Sequence, residues 1–498
     1  MTATPAMDAL EARFRRLSAL DGAAGVLGWD QMVMMPAGGA EARAEQTAVL
    51  SVLRHELLTD PAVADLLAAA ESEALDPWRA ANRAEMRRSH AHATALSSDL
   101  VEAKSRAASR SEALWRDARA QADFARVAEA LGEVVRLTRE AAEAKAEALG
   151  TTSYEALLDA FEPGGSVARI EALFAELEAA LPPILEAVLE RQARSGDPVQ
   201  PHGPFPVDAQ RRLSHRVMET LGFDFHHGRL DETLHPFCGG VPDDVRVTTR
   251  YSEDDFVSAI MAVIHETGHA LYERGLPAGH RHQPVGDARG MVLHESQSLL
   301  MEMQACRSPA FLSLLSGWAR DAFAGDGAAW DAANLQRIYT RVERGFIRVE
   351  ADEITYPLHV ILRTRLERAL LVDDLAVADL PDAWNAGMRD LLGVVPPDDA
   401  MGCLQDIHWF DGAIGYFPTY TLGALAAAQL FQAALRADPG IPAAIAAGDF
   451  APLRTWLGTH VHGRGSSAST DEILRDATGS ALGTEAFLAH LRARYLDA

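Results

Sequence analysis

The run FVSAIMAVIHETGHALYERG, Phe256–Gly275, sets two histidines and a glutamate inside an otherwise apolar stretch. Its pattern reads as a helix to be buried, and each unpartnered polar group in such a helix costs about 2–7 kcal/mol. Any fold for this chain must therefore surround the helix with core and still supply partners for His265, Glu266 and His269. Residues four apart lie on one helical face, so both imidazoles reach one point. A metal ion there would satisfy both, with Glu266 beside it to take a proton from water. The plain alternative is a pair of neutral core histidines with ordinary hydrogen bonds. A chance HExxH arises in about 5% of chains this rich in histidine, so the motif needs corroboration.

A catalytic centre of this kind needs a third protein ligand and an open fourth position. The stretch HESQSLLMEMQ, His294–Gln304, offers His294, Glu295 and Glu302 on the next helix, expected over about Met291–Arg307. Glu295 and Glu302 are seven apart and share a face, so helical geometry alone leaves the choice between them open.

The rest of the chain points to a mostly α fold. Ala, Leu, Glu and Arg dominate, apolar residues recur at three and four, and β-branched residues are sparse. From Asp8 to about Leu149 the pattern is helical, broken at LGWDQMVMMPAGGA (Leu27–Ala40) by Pro36 and two glycines. Ser166 is placed to cap the helix after FEPGG. VRVTTRY, Val245–Tyr251, reads as a short strand beside the motif helix, and Ser252 with Asp255 as a capping box before it. Val394–Gly423 reads as an irregular, Gly-, Pro- and Tyr-rich stretch. With no repeat and no low-complexity linker, residues 1–498 are expected to form one large helical body with a small β element, as a single domain.

A formal charge of −25 argues against a nucleic-acid partner. Cys238, Cys306 and Cys403 are odd in number and form no CxxC, which suggests reduced thiols and a cytoplasmic setting. No stretch reads as a membrane span and the N-terminal residues do not read as a signal peptide, so the expectation is a soluble protein without a membrane partner.

Taken in order, the motifs GWDQMVMMPAGGAEARAEQ, HPF (His235–Phe237), DVRVT (Asp244–Thr248), HETGH, HESQS, IRVEAD (Ile347–Asp352) and GCLQDIHW (Gly402–Trp409) resemble the carboxypeptidase Taq family of metallocarboxypeptidases along nearly the whole chain. The resemblance implies His265, His269 and Glu295 as ligands of Zn2+, or sometimes Co2+, with Glu266 as general base. It also implies a helical fold with a deep groove, commonly a homodimer. The implied activity is stepwise release of C-terminal residues from peptides with a free C-terminus, with broad preference and poor action at proline.

The remaining motif residues have both functional and structural readings. An arginine fork best receives a carboxylate, and Arg348 is the implied candidate; the alternative is a surface pair with Asp352. Asp352 is otherwise expected to orient Arg348 or another site group. Asp244 and Arg246 could serve a strand edge that binds extended peptide, or form a structural ion pair. His235, preceding proline, could line the groove or sit in a loop. His408 and Tyr420, with Tyr416, are the available oxyanion donors. Gln405 is expected to support the loop or the substrate backbone. Two rivals remain at this stage: a helical endo-oligopeptidase with the same centre, and a catalytically silent helical binding protein.

Overall fold

A computed structural model describes residues 4–233 and 236–497. Those residues form twenty α-helices and one three-stranded sheet, the mostly α class expected from the periodicity. The chain sorts into two compact units. The first holds Met1–Ala93, Pro198–Thr340 and Ala426–Leu482; the second holds Thr94–Asp197, Arg341–Leu425 and Gly483–Ala498. The boundary before Ala426 falls inside the helix Pro418–Ala437, so no linker composition marks it.

In the first unit, strands β1 (Gly228–Glu232), β2 (Cys238–Val241) and β3 (Asp244–Thr249) lie in the order β1-β3-β2. β3 pairs parallel with β1 and antiparallel with β2. Strand alternation sends Val245 and Val247 to one face, where they pack with Met218, Val263 and Ala270. That contact seats the sheet against the helix Val257–Gly275, called here the histidine helix. Asp255 starts this helix, its Oδ1 accepting from the Val257 and Ser258 amides at 2.9 and 3.2 Å. Ser252, the expected cap, instead accepts from the Asp254 amide one turn earlier.

The following helix, Met291–Leu299, carries the HES residues. It does not continue as an α-helix to Arg307 but widens into a π-helical turn over Leu300–Cys306. Gly268 lets the two helices meet backbone to backbone. A Cβ added there would stand 2.5 Å from the Gln297 carbonyl oxygen and 2.6 Å from the Ser298 Cα.

In the second unit, the helix Tyr356–Leu371 is entered through Asp352. That carboxylate accepts from the Ile354 and Thr355 amides at 2.9 and 3.1 Å and from the Thr355 hydroxyl at 2.8 Å. The irregular stretch ends earlier than its composition suggested. Pro418 opens the helix Pro418–Ala437, since a proline's fixed φ suits the first turn, and Tyr420 is therefore helical. Fully buried Glu353 receives His490 and Arg494 of the helix Glu485–Tyr495, each at 2.6 Å.

Candidate metal centre

The first unit brings His265, His269 and Glu295 to one point, with a ligand atom from each within 4.8 Å of the others. Nε2 of His269 lies 3.4 Å from Glu295 Oε2, and Nε2 of His265 lies 3.9 Å from the same oxygen. The outer nitrogens are also engaged. His265 Nδ1 meets Glu302 Oε2 at 2.9 Å, and His269 Nδ1 meets His294 Nδ1 at 2.7 Å. Glu302 in turn pairs with Arg307. Glu295 and Glu302, between which helical geometry could not choose, and His294 thus take three different positions. Only Glu295 stands between the two Nε2 atoms. Glu302 and His294 stand behind the rings.

Charge shows what this cluster can hold. Burial pulls His265 down, but Glu295, Glu302 and Glu266 outweigh it and raise its pKa to about 10. Burial pushes Glu295 up, and His265 with His269 outweighs that and holds it at about 2. Burial drives His269 down to about 4, so its ring is neutral and offers a lone pair. Glu266, buried, is pushed up to about 7 chiefly by its burial, and its carboxyl makes no hydrogen bond among the described residues. Three carboxyl groups thus surround a protonated imidazole. A divalent cation fits that charge and the two-imidazole, one-carboxylate donor set, displacing the proton from His265.

Asp244 and Arg246 form an ion pair on β3, with Arg246 Nη2 2.7 Å from Asp244 Oδ2. The Trp29 ring meets two guanidinium groups, Arg246 at 4.3 Å and Arg229 at 4.8 Å from its centre. The expected free edge is absent at β3, because β1 and β2 occupy both of its sides. Strand addition at Asp244 and Arg246 is therefore corrected: an internal strand has no unpaired backbone to offer. His235 lies outside the described residues.

The second unit gathers another polar cluster. Arg348, in a short 3-10 turn and buried, gives Nε and Nη2 to Asp406 Oδ1 at 3.2 and 2.7 Å. Arg363, fully buried, takes the other oxygen at 2.6 Å. The partner expected for Arg348, Asp352, is committed instead to the amides that start the next helix. Gln405 braces the same group, accepting from the Arg348 amide and from Arg363 and donating to the Phe346, Met401 and Gly402 carbonyls. His408 Nε2 lies 3.1 Å from the Tyr420 hydroxyl, while its Nδ1 is buried without a hydrogen bond. Burial lowers His408 to about 4, so it is neutral. Tyr416 packs edge-on against Tyr420 and Phe161, each at 5.1 Å.

Sequence reasoning passed over Asp406 and Arg363, and Glu273, which meets His294 at 2.8 Å. Asp406 lay inside the quoted GCLQDIHW motif, the one signal that could have flagged it.

Comparisons with known proteins identify the family. The sequence description of the carboxypeptidase Taq (M32) metallopeptidase family matches residues 9–495. Thermostable carboxypeptidase 1 of Thermus thermophilus is 40% identical over 495 residues, 97% of each chain. The metallocarboxypeptidase 1 structure of Trypanosoma cruzi superposes with a TM-score of 0.97 at 39% identity, covering 99% of this chain and 100% of that one. An M32 carboxypeptidase structure from Deinococcus radiodurans R1 gives 0.94 at 37% identity, covering 99% of each. A chain alike to these along its whole length, and with a largely buried two-histidine, one-glutamate group that could hold a metal ion, is a metal-dependent peptide hydrolase, and this chain belongs to the carboxypeptidase Taq (M32) family of metallocarboxypeptidases.

Proposed function

We propose that the protein removes residues stepwise from the free C-terminus of peptides, with broad residue preference, using Zn2+ or alternatively Co2+ held by His265, His269 and Glu295. The observation that carries this reading is the convergence of those three ligand atoms beside a buried, unengaged Glu266 carboxyl. The divalent ion, when bound, supplies the Lewis acidity that polarises a peptide carbonyl and acidifies water.

Glu266 acts as general base. With no hydrogen bond to surrender, its carboxylate takes the proton of the attacking water and then delivers it to the leaving amine. Arg348 receives the terminal carboxylate. Asp406 occupies its Nε side and leaves the end-on face, Nη1 with the second Nη2 hydrogen, for two parallel bonds. Tyr420 donates its one hydroxyl hydrogen to the developing oxyanion, with neutral His408 donating its Nε2 hydrogen to the tyrosine oxygen behind it or to the oxyanion in its place. Asp244, Arg246, Gln405, Asp352 and Tyr416 shape the substrate-binding elements rather than react. Support for each role comes from within its own unit.

Residues 1–498 are read as one peptidase domain, supported by the family match over 9–495. The family resemblance supports reading the protein as a homodimer, and the free Cys238, Cys306 and Cys403 support reading it as cytoplasmic. No described helix is long and apolar enough to cross a membrane.

The test is E266Q. It should bind metal as the unaltered protein does and lose about 10²–10⁴-fold in turnover; near-normal turnover would overturn the general-base role. For Arg348, one peptide with a free and with an amidated C-terminus should be cleaved at very different rates. R348Q should erase the difference, and equal rates in the unaltered protein would refute the carboxylate anchor.

A further inference from the structure

His294 sits between two residues of the histidine helix. Its Nδ1 lies 2.7 Å from His269 Nδ1, and its Nε2 lies 2.8 Å from Oε1 of Glu273, one turn beyond His269. We propose that His294 and Glu273 are positioning residues that fix the tautomer and ring angle of His269 through this glutamate–histidine–histidine chain. The proposal rests on the reading of His269 as a metal ligand.

Donor and acceptor chemistry sets the direction of the chain. A carboxylate only accepts, so His294 donates its Nε2 hydrogen to Glu273. With the ring's single hydrogen on Nε2, His294 has a bare Nδ1, which accepts the Nδ1 hydrogen of His269. His269 is left with its lone pair on Nε2, the atom 3.4 Å from Glu295. The reverse order would place a hydrogen on Nε2 and close that atom to a metal.

Packing keeps His294 in place. Its ring lies 4.6 Å from that of His269 and 5.6 Å from that of Tyr272. Tyr272 rests against His462 at 5.2 Å, and His462 is bonded to Gln297 at 2.9 Å. Gly275 leaves room for that ring, since a Cβ there would meet His462 Nδ1 at 2.5 Å.

The two ligand candidates therefore differ. His265 reaches its carboxylate, Glu302, directly, whereas His269 reaches Glu273 only through a second imidazole. Outer partners of this kind hold ligand geometry and raise metal affinity.

The experiment titrates Co2+ into the metal-free, full-length protein against a competing chelator and reads the cobalt d–d absorption. H294L and E273M should each raise the Co2+ dissociation constant about 10–100-fold and shift the absorption band, at unchanged far-UV circular dichroism. H294N restores an acceptor oxygen near the Nδ1 position and should recover most of the loss seen in H294L. A merely structural role would give no rescue by H294N, and that result overturns the proposal. So do H294L and E273M constants within about twofold of the unaltered protein. Should H294L fail to fold, E273M alone decides, because Glu273 is partly exposed. E295A separates the two readings. Loss of Co2+ in E295A with normal binding in E273M overturns the chain alone, whereas normal binding in both E295A and H269A overturns the ligand assignment beneath it.

Discussion

Replacing Gly268 by alanine sets two effects against each other. An alanine in a helix interior is favoured over glycine by about 1 kcal/mol. Its Cβ, however, would stand 2.5 Å from the Gln297 oxygen and 2.6 Å from the Ser298 Cα, where ordinary contact begins at 3.4 Å. Both obstacles are backbone and neither can rotate aside, so the two helices must part by roughly 0.9 Å or distort, overpacking that costs about 1–3 kcal/mol. The net change in stability is therefore small, on the order of 0–2 kcal/mol. The effect on the centre is larger. His269 adjoins Gly268 and Glu295 lies two residues before Gln297, so the parting falls on a pair now 3.4 Å apart. Metal sites tolerate about 0.2 Å in ligand distance. G268A should thus weaken metal binding at least about tenfold while shifting the thermal midpoint of the metal-free protein little. The assay pairs chelator-competed metal titration with thermal unfolding of the metal-free form. G268A with unaltered metal affinity would refute the argument that backbone contact at this glycine sets the ligand separation.

Three further outcomes follow from the same geometry. D406A leaves the Arg348 and Arg363 guanidinium groups buried without their shared carboxylate and should cost about 3–5 kcal/mol in denaturant unfolding; a loss below about 1 kcal/mol would discount the triad. Burial lowers His462 from 6.5 to about 3. The folded state then binds fewer protons than the unfolded one between those values, so the stability His462 contributes above pH 6.5 is lost as pH falls through that window. H462Q should flatten the acid-unfolding curve there, and an unchanged slope would rule His462 out as its source. Chelation should abolish peptidase activity and added Zn2+ or Co2+ should restore it; activity that survives complete metal removal contradicts the centre.

Local chemistry carried much of this protein into view from its sequence. Helix class followed from apolar spacing and sparse β-branching, and the convergence of His265 and His269 followed from four-residue spacing on one helix, because both depend on neighbours in the chain. The order of seven short motifs pointed to the family that the whole-chain match then showed. Choices that depended on contacts between distant segments did not show. Glu295 and Glu302 look equivalent on an ideal helix, and they separate only because Gly268 admits close backbone contact and the helix widens into a π turn after Leu299. Arg348 looked like the neighbour of Asp352 four residues on, yet that stretch is not an α-helix. Its partner is Asp406, 58 residues away. For β3 a sheet edge and a structural ion pair stood as equal readings, because no strand pattern in the sequence announces β1 beside it. The sequence by itself determined which residue types stand at helical spacing around a metal-sized gap. Tertiary packing decided which carboxylate faces that gap and which stand behind it, because only the approach of two backbones turns equal candidates into unequal distances.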